Sequence, residues 1–167
     1  MLLLSLARWV ESTEFFTYIR GSSYTYPAIL SLHMVAIALF GGMILMTDLR
    51  LLGWAMRKRP LSEVVDQLRW PKRIGFVLAA TCGILLFGSK AGDYYFNSFF
   101  RLKVSLLFLV IVHALIFRKG VYNSATELDR APRMPAKAKL AGGLSLVLWI
   151  AIFCAGRGIG FILAPAP

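Results

Sequence analysis

The stretch PAILSLHMVAIALFGGMILMT, residues 27–47, decides the fold. It carries no charged residue, and a helix of about 20 residues is what crosses a hydrocarbon core of ~30 Å. Backbone groups in lipid have no water to bond, so a run of this kind satisfies its amides internally, as a helix. Three further runs, 73–89, 102–117 and 140–163, repeat the pattern. The second and third spans are short, and borrow flanking residues or let Arg73, Arg101 and Lys103 snorkel to the headgroups. With 167 residues, 58% hydrophobic, and a mean hydropathy of +0.68, the chain is too apolar for a soluble domain of its size. The expected fold is all-α, a four-helix transmembrane bundle forming a single integral membrane domain over 1–167.

Two amphipathic segments flank the spans. Within 1–22, Leu6, Trp9, Val10, Phe16 and Ile19 lie toward one side and Arg8, Glu11 and Ser12 toward another, which suits an outer-face helix lying on the surface. The loop from Pro60 to Pro71 repeats the theme with Leu61, Val64, Val65 and Leu68, flanked by Trp54 and Trp70. It predicts a second short surface helix, in the first cytoplasmic loop. The segment GDYYFNSFF, residues 92–100, places Tyr94, Tyr95 and Phe96 as an aromatic belt at the outer boundary.

The net charge of +11 is not a nucleic-acid signature, because no basic stripe is interleaved with polar recognition residues. Thirteen of the nineteen Lys and Arg residues fall in two loops, 48–73 and 118–139. Both loops are therefore expected to face the cytoplasm, with both termini outside. The N-terminus lacks the basic start of a signal peptide and is interrupted early by Arg8, Glu11 and Glu14, so it is expected to be retained. Cys82 and Cys154 each lie in an apolar stretch without a CxxC and read as small core residues.

The chemistry-bearing residues are few. His33 and His113 are the only histidines, each inside an apolar run, where an imidazole requires a ligand, a polar partner or a proton path. Two imidazoles on facing helices, with small residues where a porphyrin lies flat, are the donor set of b-type haem. Gly41, Gly42, Ala79, Gly83, Gly142 and Gly143 permit close packing, and Arg157 is placed to meet a propionate. Depth opposes the simplest version: the two histidines are offset by roughly 10 Å at 1.5 Å per residue. One haem held by both, haem held by one, and structural imidazoles bonded to helix carbonyls or hydroxyls all stay open. A copper site using His33 with Met34, Met43 and Met46 suits Cu(I) chemistry, but the spacing separates the histidine from Met43 and Met46 by more than two turns.

Arg157, in AGRGIG near the end of the last span, requires a partner; Asp93, Glu11 and Glu14 are the carboxylates at that face. Gly156 and Gly160 form a GxxxG for close helix approach. Asp48 and Arg50 are expected to fix the inner end of the first span at the headgroups. No nucleophile with base and orienter, Walker loop or HExxH occurs, so no independent catalytic activity is expected.

At YPAILSLHMVAIALFGG, DLRLLG, FRLK and AGRGIGF the chain resembles a family of uncharacterised bacterial four-helix inner-membrane proteins, over Trp9 to about Phe161. In that family a histidine like His33 recurs, whereas the position of His113 often holds asparagine, which the resemblance implies is no second haem ligand. A looser likeness, to small b-type membrane cytochromes, is one of fold alone. The leading expectation is a small inner-membrane subunit that binds b-type haem through His33, alone or together with His113, with iron as the metal, and exchanges electrons with a partner. The runner-up is a non-catalytic anchor or assembly subunit of a larger complex, and the third a small-ion or metal transporter protomer. Four short helices enclose little volume, so a homo-oligomer or other membrane or periplasmic subunits are expected partners beside the bilayer.

Overall fold

In the computed structural model, which describes residues 2–131 and 133–161, the chain is helical with no strand among those residues. Two short helices, α1 (Leu2–Ser12) and α2 (Glu14–Gly21), precede α3 (Thr25–Leu52) and α4 (Leu61–Ser89). The chain continues through α5 (Ala91–Phe96) and α6 (Ser98–His113), which runs into a π turn over Ala114–Arg118. Two short helices, α7 (Lys119–Asn123) and α8 (Ala125–Arg130), lead to α9 (Ala136–Gly158). Four segments are long and apolar enough to cross a membrane: Thr25–Leu52, Leu61–Ser89, Ser98–Phe117 and Ala136–Gly158. Their outward faces carry Leu39, Phe108 and Val147, each about 60% exposed or more, the distribution expected of helices solvated by acyl chains.

α4 packs against α3, α3 against α9 and α9 against α6, whereas α4 and α6 do not pack along their length. They meet at one end, where the rings of Phe87 and Phe100 stack with centroids 5.3 Å apart and Tyr94 of α5 joins them. α1 and α2 form a collar at that same end. The opposite, basic end holds residues 53–60 with α7 and α8. There Leu51, Leu61, Val65, Val121, Ala125, Ala138 and Ala141 form an apolar core.

Several boundaries differ from those the sequence predicts. The segment 60–71 is no separate surface helix: it is the first part of α4, which continues through Pro71. Leu61, Val64 and Val65 are buried, and that burial holds the turns in line despite the backbone hydrogen bond a proline removes. The collar segment is two helices, broken at Thr13, whose hydroxyl bonds back to the Val10 carbonyl at 2.9 Å. The last span begins at Ala136 and its helix ends at Gly158; the expected extension to 163 falls partly outside the described residues. Cys82 is buried as expected, but Cys154 is exposed on the outer face of α9.

Two polar clasps close the ends. At the collar, the Glu11 carboxylate accepts from the Gly92 backbone N–H at 2.8 Å and from Arg20, docking α1 on α5. Burial, with the Tyr26 hydroxyl and Asp93 beside it, pushes the Tyr94 phenol well above its usual range. At the basic end, Asp129 on α8 accepts from the N–H groups of Leu61 and Ser62 and from the Ser62 hydroxyl at 2.6 Å. It thereby caps the first turn of α4 from sixty-eight residues away.

Candidate functional site

His33 stands on α3 nearer the collar end, facing α4. Its Cε1 lies 3.1 Å, Nδ1 3.8 Å and Nε2 3.9 Å from the position a Cβ on Gly83 would occupy, so glycine is what admits an imidazole between these helices. The Ala79 backbone lies beside the ring, yet Nδ1 is sealed from solvent and has no hydrogen-bond partner among the described residues. A buried nitrogen of this kind is costly to leave unsatisfied.

Lys103 stands on α6 with its side chain turned toward α9. Its Nζ sits 3.7 Å from the position of a Cβ on Gly156 of α9. His33 and Gly83 thus join α3 to α4, and Lys103 and Gly156 join α6 to α9. Hydropathy alone assigns Lys103 to headgroup snorkelling. The signal that places it inside is nevertheless in the sequence, because Lys103, Leu106, Val110 and His113 recur at helical spacing. They are the better-buried positions of α6, while Leu102, Val104, Leu107, Phe108 and Leu109 are exposed.

His113 is elsewhere. It is 4% exposed, its ring stacks on Phe117 with centroids 5.4 Å apart, and its Nε2 lies 3.0 Å from the Ala141 carbonyl oxygen. A carbonyl only accepts, so that nitrogen carries the proton and is taken. The residue after Ala141, Gly142, meets the backbone of Asp48, fifteen residues beyond His33 along α3, a separation of roughly 22 Å at 1.5 Å per residue. Two metal–imidazole bonds of ~2 Å each span about 4 Å. One haem iron bridged by His33 and His113 therefore does not fit. The offset exceeds the sequence expectation because α3 extends to Leu52 and the third span starts at Ser98, which moves each histidine further from its helix midpoint, in opposite directions.

Other expected residues separate likewise. Arg157 stacks its guanidinium over Phe161 at 4.8 Å; Glu11, one of its expected partners, is engaged by Arg20 and Gly92. Asp48 is 1% exposed, enclosed by the bundle, beside a Thr47 hydroxyl to which Lys72 donates at 3.4 Å. Arg50 turns away and donates to the Arg59 carbonyl at 2.8 Å, since residues two apart on a helix point to different sides. Met34 and Met46 are exposed and Met43 packs on Gly75, so the thioethers do not converge on His33. Among the described residues no three His, Cys, Asp or Glu side chains form a metal-holding group. Trp149, which nothing in the sequence marks out, has a buried Nε1 without a partner among the described residues and sets its ring edge-on to Phe40 at 5.4 Å. Gly41 and Gly42 face open space, whereas Gly75, Gly88 and Gly142 provide close approaches.

No curated protein and no solved structure matches the chain. The profile of DUF6644, a family of unknown function, matches residues 6–162. With nearly its whole length covered, from the collar through all four long apolar helices, the chain belongs to the DUF6644 family.

Proposed function

We propose that this chain is a small multi-pass subunit of a bacterial inner membrane that carries a redox group, b-type haem, on His33 alone among its histidines, and exchanges electrons with a partner subunit. The observation that carries this reading is the buried Nδ1 of His33, which has no hydrogen-bond partner among the described residues, in a span where a polar nitrogen is costly to leave unbonded. The donor set fits one axial imidazole, with Arg157 at the same end of the bundle available to a propionate. Bound there, haem would supply one-electron chemistry. The chain's own part is to hold and orient His33 through Gly83 and Ala79, to exclude water with the surrounding apolar faces, and to leave His113 as a structural bond between α6 and α9.

The two loops rich in Lys and Arg lie at one end of the bundle, which supports a cytoplasmic basic end and periplasmic termini. Purified protein with a reducible Soret band that His33→Ala abolishes and His113→Ala retains is the expected result. Colourless protein after expression with haem supplied would overturn the haem reading. A second reading, a non-catalytic anchor, is favoured by the collar, where Trp9, Phe15 and Tyr18 are exposed on helices tied down through Glu11. In that case colourless protein would co-elute with a periplasmic subunit.

A further inference from the structure

The outer face of α9 carries a groove at the basic end of the bundle, with a volume of about 760 Å³ and open along one side. Lys137 and Lys139 stand at its mouth, in the first turn of the helix. Its walls are Leu140, Leu144 and Val147, 61%, 41% and 63% exposed. Gly143 lowers the floor: a Cβ there would stand 3.7 Å from Leu52 Cδ2 of α3, so the missing side chain lets the surface dip toward the neighbouring helix. From Lys139 to Val147 the face runs about 12 Å at 1.5 Å per residue, close to the ~15 Å of hydrocarbon in one leaflet.

Both lysines are exposed, and neither is in an ion pair among the described residues. Three carboxylates at this end are committed elsewhere: Glu63 lies 3.8 Å from Arg59, Asp66 bonds Arg69 at 2.6 Å, and Asp129 caps α4. An apolar trough headed by two positive charges at the start of a span is complementary to an acidic lipid. A second copy does not match it. Two chains inserted in the same sense and related by a twofold axis along the membrane normal would set these lysines against each other, like charge on like.

We propose that this face of α9 binds an acidic phospholipid, its phosphate between Lys137 and Lys139 and one acyl chain along Leu140, Gly143, Leu144 and Val147. The site lies at the end of the bundle remote from His33 and does not depend on a redox group there. Phosphatidylcholine offers the same phosphate with a compensating cation, so net headgroup charge is what the lysines read. Each lysine beside an anionic headgroup strengthens binding by roughly fivefold, and two by about 25-fold.

The test uses the full chain in phosphatidylcholine nanodiscs doped with a phospholipid that bears a diazirine on its acyl chain, either phosphatidylglycerol or phosphatidylcholine, followed by illumination and peptide mapping. At low mole fraction the phosphatidylglycerol probe is expected to label residues 140–147 in preference to the phosphatidylcholine probe, by a factor approaching 25, and unlabelled phosphatidylglycerol should compete it away. K137Q/K139Q should erase the preference and K137R/K139R keep it. Because both side chains are exposed, the two variants are expected to melt with wild type in phosphatidylcholine alone. Equal labelling by the two probes in wild type, or a preference that K137Q/K139Q retains, reduces the face to ordinary bilayer contact and overturns the proposal. Absence of label from 140–147 also overturns it, and chain-to-chain crosslinks there would give the face to a second copy instead.

Discussion

Asp129→Ala removes the side chain that joins α8 to the start of α4. In the native fold this carboxylate accepts from two backbone N–H groups of the first turn and from the Ser62 hydroxyl. α4 has no side-chain cap of its own at Pro60, so nothing nearby in sequence replaces it. Loss of a helix cap costs about 0.5–2 kcal/mol, and water at this exposed edge recovers part of the third bond, so the expected loss is about 1–2 kcal/mol. At roughly 2–4 °C per kcal/mol for a chain of this length, the melting temperature falls by several degrees. Burial opposes ionisation of Asp129, but the Ser62 hydroxyl, the Ser62 and Leu61 amides and the Arg50 charge outweigh it and hold the carboxyl below its usual range. The sign follows: the clasp's contribution is complete above the ordinary aspartate value of about 4 and disappears as pH falls through the lower folded value. Thermal unfolding of wild type and D129A in the same detergent, from pH 7 downward, is therefore expected to show curves that converge in acid. A gap that stays constant with pH, or no gap at neutral pH, would refute the capping argument.

Two further expectations concern the collar. A Cβ on Gly88 would stand 2.3 Å from the Phe16 ring, so Gly88→Ala expels that ring and costs about 1–3 kcal/mol; Phe16→Ala in the same chain should recover much of the loss, and absence of rescue in a thermal-unfolding cycle would show that the clash is not the cause. Glu11→Ala strips the Gly92 amide of its acceptor, and hydrogen exchange at Gly92 should accelerate by about tenfold, the equivalent of ~1.4 kcal/mol, while amides in the middle of α9 keep their protection.

The long apolar helices, the collar and the segregation of basic loops follow from composition and periodicity, because the cost of an unbonded backbone amide in lipid leaves a helix as the single solution for runs such as 27–47. The family assignment, too, needs no coordinates. Boundaries are less legible. Pro71 signals a break that the buried residues Leu61, Val64 and Val65 override, a contest between local propensity and packing that sequence cannot adjudicate. Hydropathy marks both histidines as polar groups inside apolar runs, but their fates diverge only in three dimensions. His113 meets the Ala141 carbonyl while the His33 ring packs against Gly83 with its Nδ1 unbonded among the described residues. Which nitrogen finds a partner depends on the axial register of four helices, and register is set by close approaches at Gly75, Gly83 and Gly142 between residues far apart in the chain. Hydropathy fixes that a segment is able to span a membrane, whereas tertiary packing alone decides which of its faces, and which of its polar atoms, is left without a bond.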